Sequence, residues 1–124
     1  MLIADANPVN ALIARRALES AGFTVTVAST GSEAVETATQ MNIALILMDL
    51  RMPVMDGFEA MRRIRDNGSD VPMLAVSAEM NPNIERQARA AGANGVAAKP
   101  LDAEALRRLA LHWTSAPVRH EGAA

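Results

Sequence analysis

The chain has no cysteine and no tyrosine, and its aromatic residues are two Phe and one Trp among 124 positions. Without cysteine, neither disulfides nor Cys-ligated zinc is available. With so few rings, an apolar half of the sequence must build its core from Ala, Leu, Ile, Val and Met. Strong charge of either sign is also missing. The net charge is −2, which gives no pull toward nucleic acid or an anionic membrane surface. No apolar run approaches the ~18 residues of a membrane span, and no targeting segment precedes the first strand. The domain therefore reads as cytosolic, with no membrane contact of its own. A glycine-rich phosphate loop is absent too. "GANG" (92–95) lacks the spacing and the lysine of a nucleotide site. His112 and His120 stand too far from other candidate ligands to suggest a metal centre.

What is present is an alternation of short apolar runs and helical patterns, repeated five times. The length suits one domain with a single core. "MLIA" opens the chain, and Asn7–Pro8 gives the cap and first-turn proline of a helix. Its predicted inward stripe is Val9, Leu12, Ile13 and Ala17, with Ala11 and Ala14 outside it. "FTVTV" (23–27) alternates like an edge strand. Thr30 with Glu33 starts a second helix, with Ala34, Ala38 and Met41 facing in. "IALILM" (43–48) reads as a central strand, and "VPMLAVS" holds the fourth. Phe58, Met61 and Ile64 line the helix between them. Asn81–Pro82 opens another helix, which ends at Gly92. "GVAA" (95–98) is the fifth strand. Asp102 caps a last helix with Leu106, Leu109, Ala110 and Trp113 facing in. The expected domain is 1–114, with a frayed tail over 115–124.

Such a pattern predicts an α/β fold: a five-stranded parallel sheet wrapped by helices on both faces. An edge-like second strand favours the order 2-1-3-4-5, with ligands beyond the carboxyl ends of strands one and three. That topology gathers Asp5, Asp49, Ser77 and Lys99 at one rim. A carboxylate at the end of a buried strand is well held for use as a nucleophile. Two neighbouring carboxylates repel unless a cation joins them, and Mg2+ accepts such oxygens while keeping several waters. Lys99 offers a point charge and Ser77 a hydroxyl donor to an anion, while Ala78 and Ala98 leave room for one. This set suits phosphoryl transfer onto a carboxylate, which needs charge neutralisation and alignment above all. Each residue also has a plainer role, as a cap, a turn residue or a solvated charge.

The stretches "DANPVN" (5–10), "MDLRMPVMDG" (48–57), "AVSA" (75–78), "GANG" and "KP" (99–100) resemble the receiver domain of two-component response regulators and hybrid histidine kinases. The resemblance covers roughly residues 1–113 and implies the flavodoxin-like (βα)5 fold. It makes Asp49 the phosphoacceptor, taking a phosphoryl group from the phosphohistidine of a histidine kinase or phosphotransfer domain. Ser77, Ala78 and Lys99 match the phosphate-contacting positions. Asp5, Asp49 and the backbone carbonyl of Arg51 match the metal ligands, with Mg2+ as the cofactor. Lys99–Pro100 matches a peptide bond that is often cis. The implied protein is no enzyme beyond its own phosphorylation and dephosphorylation. The clipped start and "DANPVN" lean toward the receiver of a hybrid kinase.

Two positions depart from the pattern. Ala6 stands where the family usually has a second acid, so weakened Mg2+ binding is expected. Val96 stands at the aromatic switch position and has no ring to swing beside Ser77. Both departures support an alternative, a pseudo-receiver that binds a protein or a ligand without productive phosphorylation. Arg51 and Glu79, each two residues beyond a site residue, could pair across the site mouth as a gate against water. The face of helix four, strand five and helix five, with Arg86, Arg89 and Val96, could form a homodimer or bind another partner, or its arginines could simply be solvated. The first helix is a candidate face for a histidine-bearing helical bundle.

Overall fold

A computed structural model describes the backbone of residues 1–123 and the side chains of residues 1–114. Five strands alternate with five helices: β1 (Leu2–Ala4), α1 (Pro8–Ser20), β2 (Thr26–Ala28), α2 (Gly31–Gln40) and β3 (Ile46–Asp49) come first. Then follow α3 (Gly57–Asp66), β4 (Met73–Ser77), α4 (Pro82–Ala91), β5 (Gly95–Ala98) and α5 (Ala103–Ala123). The tail expected over 115–124 falls on positions whose side chains lie outside the described residues. All strands run parallel in the order β2-β1-β3-β4-β5, as the alternation predicts. No helix among the described residues is long and apolar enough to cross a membrane.

Each helix starts where a short polar side chain caps it. Asn7 Oδ1 accepts the N–H groups of Val9 and Asn10 at 2.9 and 3.1 Å. Thr30, Asp56, Asn81 and Asp102 do the same for α2 to α5, at 2.8–3.1 Å. These bonds satisfy donors that have no partner inside the helix, so each cap fixes the point where its helix leaves the sheet rim.

Alternate strand residues point to opposite faces, giving two apolar clusters. Ala4, Met48 and Ala75 join α2, α3 and α4 on one face. Ile3, Leu47, Leu74 and Val76 join α1 and α5 on the other. Each fully buried Leu, Ile or Met contributes about 1.5–3 kcal/mol, so the small strands are held mainly by what covers them.

Several sequence expectations are corrected. β2 begins at Thr26, not Phe23. Gly22, at φ 98°, turns the chain so that the Phe23 N–H bonds the Leu18 carbonyl at 3.1 Å. Phe23 therefore belongs to the helix terminus. β3 begins at Ile46, where its pairing with β1 and β4 starts, and it includes Asp49, which pairs with Val76. Of the stripe assigned to α1, Ala17 is buried as expected, but Val9, Leu12 and Ile13 are exposed, and Ala11 and Leu18 are buried in their place. Small residues let α1 lie close to the sheet and α5, so its alanine face wins over its branched one. Met41 likewise caps the end of α2 and is exposed.

Candidate functional site

The carboxyl ends of β1, β3 and β4 and the loop after β5 meet at one rim. Asp5 follows β1 and Asp49 ends β3, and each is only 8% exposed. Their orientation is set locally. Asp5 Oδ1 accepts the N–H of Asn7 at 2.9 Å, and Asp49 Oδ1 accepts the N–H of Arg51 at 3.0 Å. Both Oδ2 atoms are thereby turned toward the same point. Lys99 fills it: its Nζ donates to Asp49 Oδ2 at 3.0 Å and to Asp5 Oδ2 at 3.3 Å. The lysine backbone is anchored by its own N–H to the Ser77 carbonyl at 2.9 Å. The Lys99–Pro100 peptide bond is cis. Burial disfavours the Lys99 ammonium. The hydrogen bond and charge of Asp49, with those of Asp5, outweigh it and hold the pKa above the ordinary lysine value.

Ser77 ends β4 and is buried. Its Oγ accepts the Glu79 N–H at 3.2 Å, which leaves the hydroxyl hydrogen for another acceptor. Ala78, next along, is exposed and adds no bulk. Arg51 and Glu79 form an ion pair through Nη2 and Oε1, both side chains largely exposed. Of the two outcomes the sequence leaves open, a pair or two solvated side chains, the pair is the one made. Val96 pairs with Ala75 and packs against the core cluster of the α2–α4 face, whereas Ser77 pairs with Ala98. It lies below the rim.

The donor set fits a hydrated Mg2+. Asp5 and Asp49 present hard carboxylate oxygens on neighbouring strand ends, and Mg2+ tolerates a shell completed by water. It is a two-acid set. Ala6 offers no side-chain oxygen and packs against the α2–α4 core cluster. Among the described residues, no group of three or more His, Cys, Asp or Glu converges anywhere.

One feature had no sequence signal. A cavity of about 480 Å3 opens beside Asp49 and Lys99 and runs under α1 toward α5. Its walls are mostly apolar and include Ile3, Ile13, Leu47, Val76, Leu101 and Leu106. Strand alternation could supply its floor. Its width depends on how far α1 and the loop before α5 stand apart.

The profile of the response regulator receiver domain matches residues 1–110. The chain belongs to the response regulator receiver family. Among curated relatives, the sensor protein GacS of Pseudomonas syringae pv. syringae is 33% identical over 125 residues, covering 97% of this chain and 14% of that protein. The chain thus spans about a seventh of the length of that relative, and 9% of the length of the sensor protein EvgS of Escherichia coli K12. Among solved structures, the receiver domain of the sensor histidine kinase PA1611 from Pseudomonas aeruginosa superposes with TM-score 0.84 at 36% identity, covering 93% of this chain and 96% of that one. That domain was crystallised with a magnesium ion coordinated in its active-site cleft. The receiver domain of Ssk1 from Saccharomyces cerevisiae, solved with the histidine phosphotransfer protein Ypd1, superposes with TM-score 0.85 at 29% identity, covering 91% and 86%. This receiver domain, like those, takes part in two-component signalling.

Proposed function

We propose that this receiver domain accepts a phosphoryl group from a protein phosphohistidine onto Asp49. The observation that carries the reading is the convergence of Lys99 Nζ on Asp49 and Asp5 beside the Ser77 hydroxyl. An Asp49 carboxylate oxygen forms the new bond to phosphorus while the phosphorus–nitrogen bond breaks. The electron pair of that bond stays on the imidazole nitrogen, which is left neutral or takes a proton from solvent. Lys99, already charged and held at the rim, pairs with the oxygens of the incoming group. Ser77 donates its hydroxyl hydrogen to another of them, and Ala78 leaves the approach open. Mg2+ held by Asp5, Asp49 and the Arg51 carbonyl would supply the charge neutralisation this transfer needs. With Ala6 in place of a second neighbouring acid, that binding is weak, and Lys99 carries more of the neutralisation.

The Arg51–Glu79 pair is the gate of this site, slowing access of the water that hydrolyses the acyl phosphate. Exposed pairs contribute only about 0–1 kcal/mol, so its effect is kinetic and not structural. The outward apolar residues of α1, Val9, Leu12 and Ile13, suit contact with a helical histidine-bearing partner. The relation to the Ypd1-bound receiver supports that class of donor.

Intact mass tests the reading. After incubation with phosphoramidate and Mg2+, the chain gains one phosphoryl group, and Asp49→Asn gains none. The same measurement over time finds faster loss of the group from Arg51→Ala. A chain that gains no mass from phosphoramidate or a kinase overturns the reading. The cavity beside Asp49 favours one other reading, a ligand-binding module, since its size and apolar walls are those of small-molecule sites. That module would hold a ligand in the cavity and remain unphosphorylated in the same assay.

A further inference from the structure

The cavity beside Asp49 joins two chemistries in one space. Ile3, Leu47, Val76 and Leu106, from β1, β3, β4 and α5, give it buried apolar walls. Ala4, Ala14 and Ala78 also line it and leave it wide. Protein interiors are close-packed, and side chains that border a space forgo contacts there. At about 480 Å3 the space has the size of a small-ligand site.

The charged lining residues are Asp5, Asp49 and Lys99, and among the described residues no other charged side chain borders the cavity. Two carboxylates against one ammonium leave a net negative charge where the apolar walls meet the rim. Asp5 and Asp49 are each more than nine-tenths buried, so that charge is poorly screened. Each Oδ2 accepts from Lys99 Nζ alone among the described residues, and a carboxylate oxygen has room for a second donor. An anionic head group would meet both carboxylates with Lys99 already shared between them. A cationic head group neutralises the excess charge and fills the open acceptor positions.

We propose that the cavity binds a small amphipathic amine. The ammonium donates to Asp5 and Asp49, and the apolar body lies against Ile3, Leu47, Val76 and Leu106. The bound amine competes with the divalent cation for the same two carboxylates, so it holds the rim in a metal-free state. The inference rests on the ligand-binding reading of the cavity and names the ligand class. It does not require Asp49 to go unphosphorylated, because the amine-bound and metal-bound rims are alternative states of one protein.

The test titrates hexylamine, hexanol and hexanoate into the 15N-labelled chain and follows amide shifts by NMR. The three probes share one apolar body and differ in the charge of the head. Hexylamine is expected to shift the amides of Leu47, Val76 and Ala14 and to bind about tenfold more tightly than hexanol, with hexanoate weaker still. Asp5→Asn removes the excess negative charge. It lowers hexylamine affinity to about that of hexanol and leaves hexanol within about twofold of wild type, which a misfolded chain would not do. Ala14→Phe puts a ring into the space from the half-buried face of α1 and weakens both probes about tenfold. Saturating Mg2+ raises the apparent Kd of hexylamine and leaves that of hexanol unchanged, with NaCl at equal ionic strength as the control. Equal affinity for the three probes, a preference for hexanoate, or hexylamine binding that ignores Mg2+ overturns the inference while leaving the cavity a ligand site. Cavity amides that no probe shifts overturn the ligand-binding reading and this inference together.

Discussion

At the scale of the residue, Ala6 and Lys99 set the character of the site. Ala6 removes one acid from the rim, and Lys99 spans the two acids that remain, reaching Asp49 at 3.0 Å and Asp5 at 3.3 Å. Restoring the acid with Ala6→Asp is expected to tighten Mg2+ binding by about tenfold or more, since it adds a hard, charged ligand. Isothermal titration checks this, and unchanged affinity would mean that Ala6 is not what limits the metal. Lys99 has a consequence for pH dependence. Burial opposes its charge, and Asp49 and Asp5 more than restore it, so its folded pKa is raised. Stability from a raised pKa is fully present below the ordinary lysine value of about 10.4 and is lost as pH rises through the folded value. Urea midpoints should therefore fall on going from about pH 10 upward, and fall less in Lys99→Met.

At the scale of the element, the strand ends and helix starts are locked together by close backbone approaches. Gly57, the first residue of α3, is the clearest case. A Cβ there would lie 2.4 Å from the Asp49 carbonyl oxygen and 2.8 Å from the Leu50 Cα. Both are backbone atoms at the carboxyl end of β3 and just beyond it, and cannot step aside alone. Gly57→Ala is expected to destabilise the fold by about 1–3 kcal/mol in urea titration and to slow phosphorylation by displacing Asp49. Gly68→Ala is the control. It has φ 93° with nothing within 4 Å of its virtual Cβ, so it costs about 1 kcal/mol through backbone strain and leaves phosphorylation unchanged. The far end of the sheet is tied by side chains instead. Asn94 Oδ1 accepts both the Met73 N–H and the Arg65 guanidinium at 2.9 Å. Arg65 also donates to the Gly92 and Ser69 carbonyls, and its burial pushes the guanidinium pKa down. This clamp joins α3, the start of β4 and the turn before β5.

At the scale of the whole molecule, one thin sheet divides two apolar clusters, and neither half stands without the strands they share. Unfolding should then be a single cooperative event. Trp113, the chain's one tryptophan, reports on it, because its ring edge lies 2.9 Å from a virtual Cβ on Gly95 of β5. Tryptophan emission and far-ultraviolet circular dichroism are expected to give coincident urea transitions. Separated midpoints would mean that the α1–α5 face opens independently of the α2–α4 face. The same face holds the cavity beside Asp49, so its integrity bears on the site as well as on the fold.

The sequence alone determined much of this protein. Caps such as Asn7–Pro8 and Asp102, and the apolar runs between them, are local signals, because a cap acts within one turn and a buried strand must be apolar throughout. They fix the element order, and parallel crossovers leave few ways to arrange it. The gathering of Asp5, Asp49, Ser77 and Lys99 follows from that order, since all four stand at strand carboxyl ends. The Arg51–Glu79 pair was only half legible: both stand two residues past neighbouring strand ends, but that spacing suits two solvated side chains as well as a pair. Other features depended on rotation and distance, which no local pattern carries. In α1 only Ala17 of the expected stripe is buried, because close packing on α5 and the sheet favours alanine over Val9, Leu12 and Ile13. β2 and β3 began later than their apolar runs, because a strand exists only where a neighbour pairs with it. The reach of Lys99 to both carboxylates and the cavity beside them arise where separate segments meet. Tertiary structure decided these, because each depends on the position of one backbone relative to another.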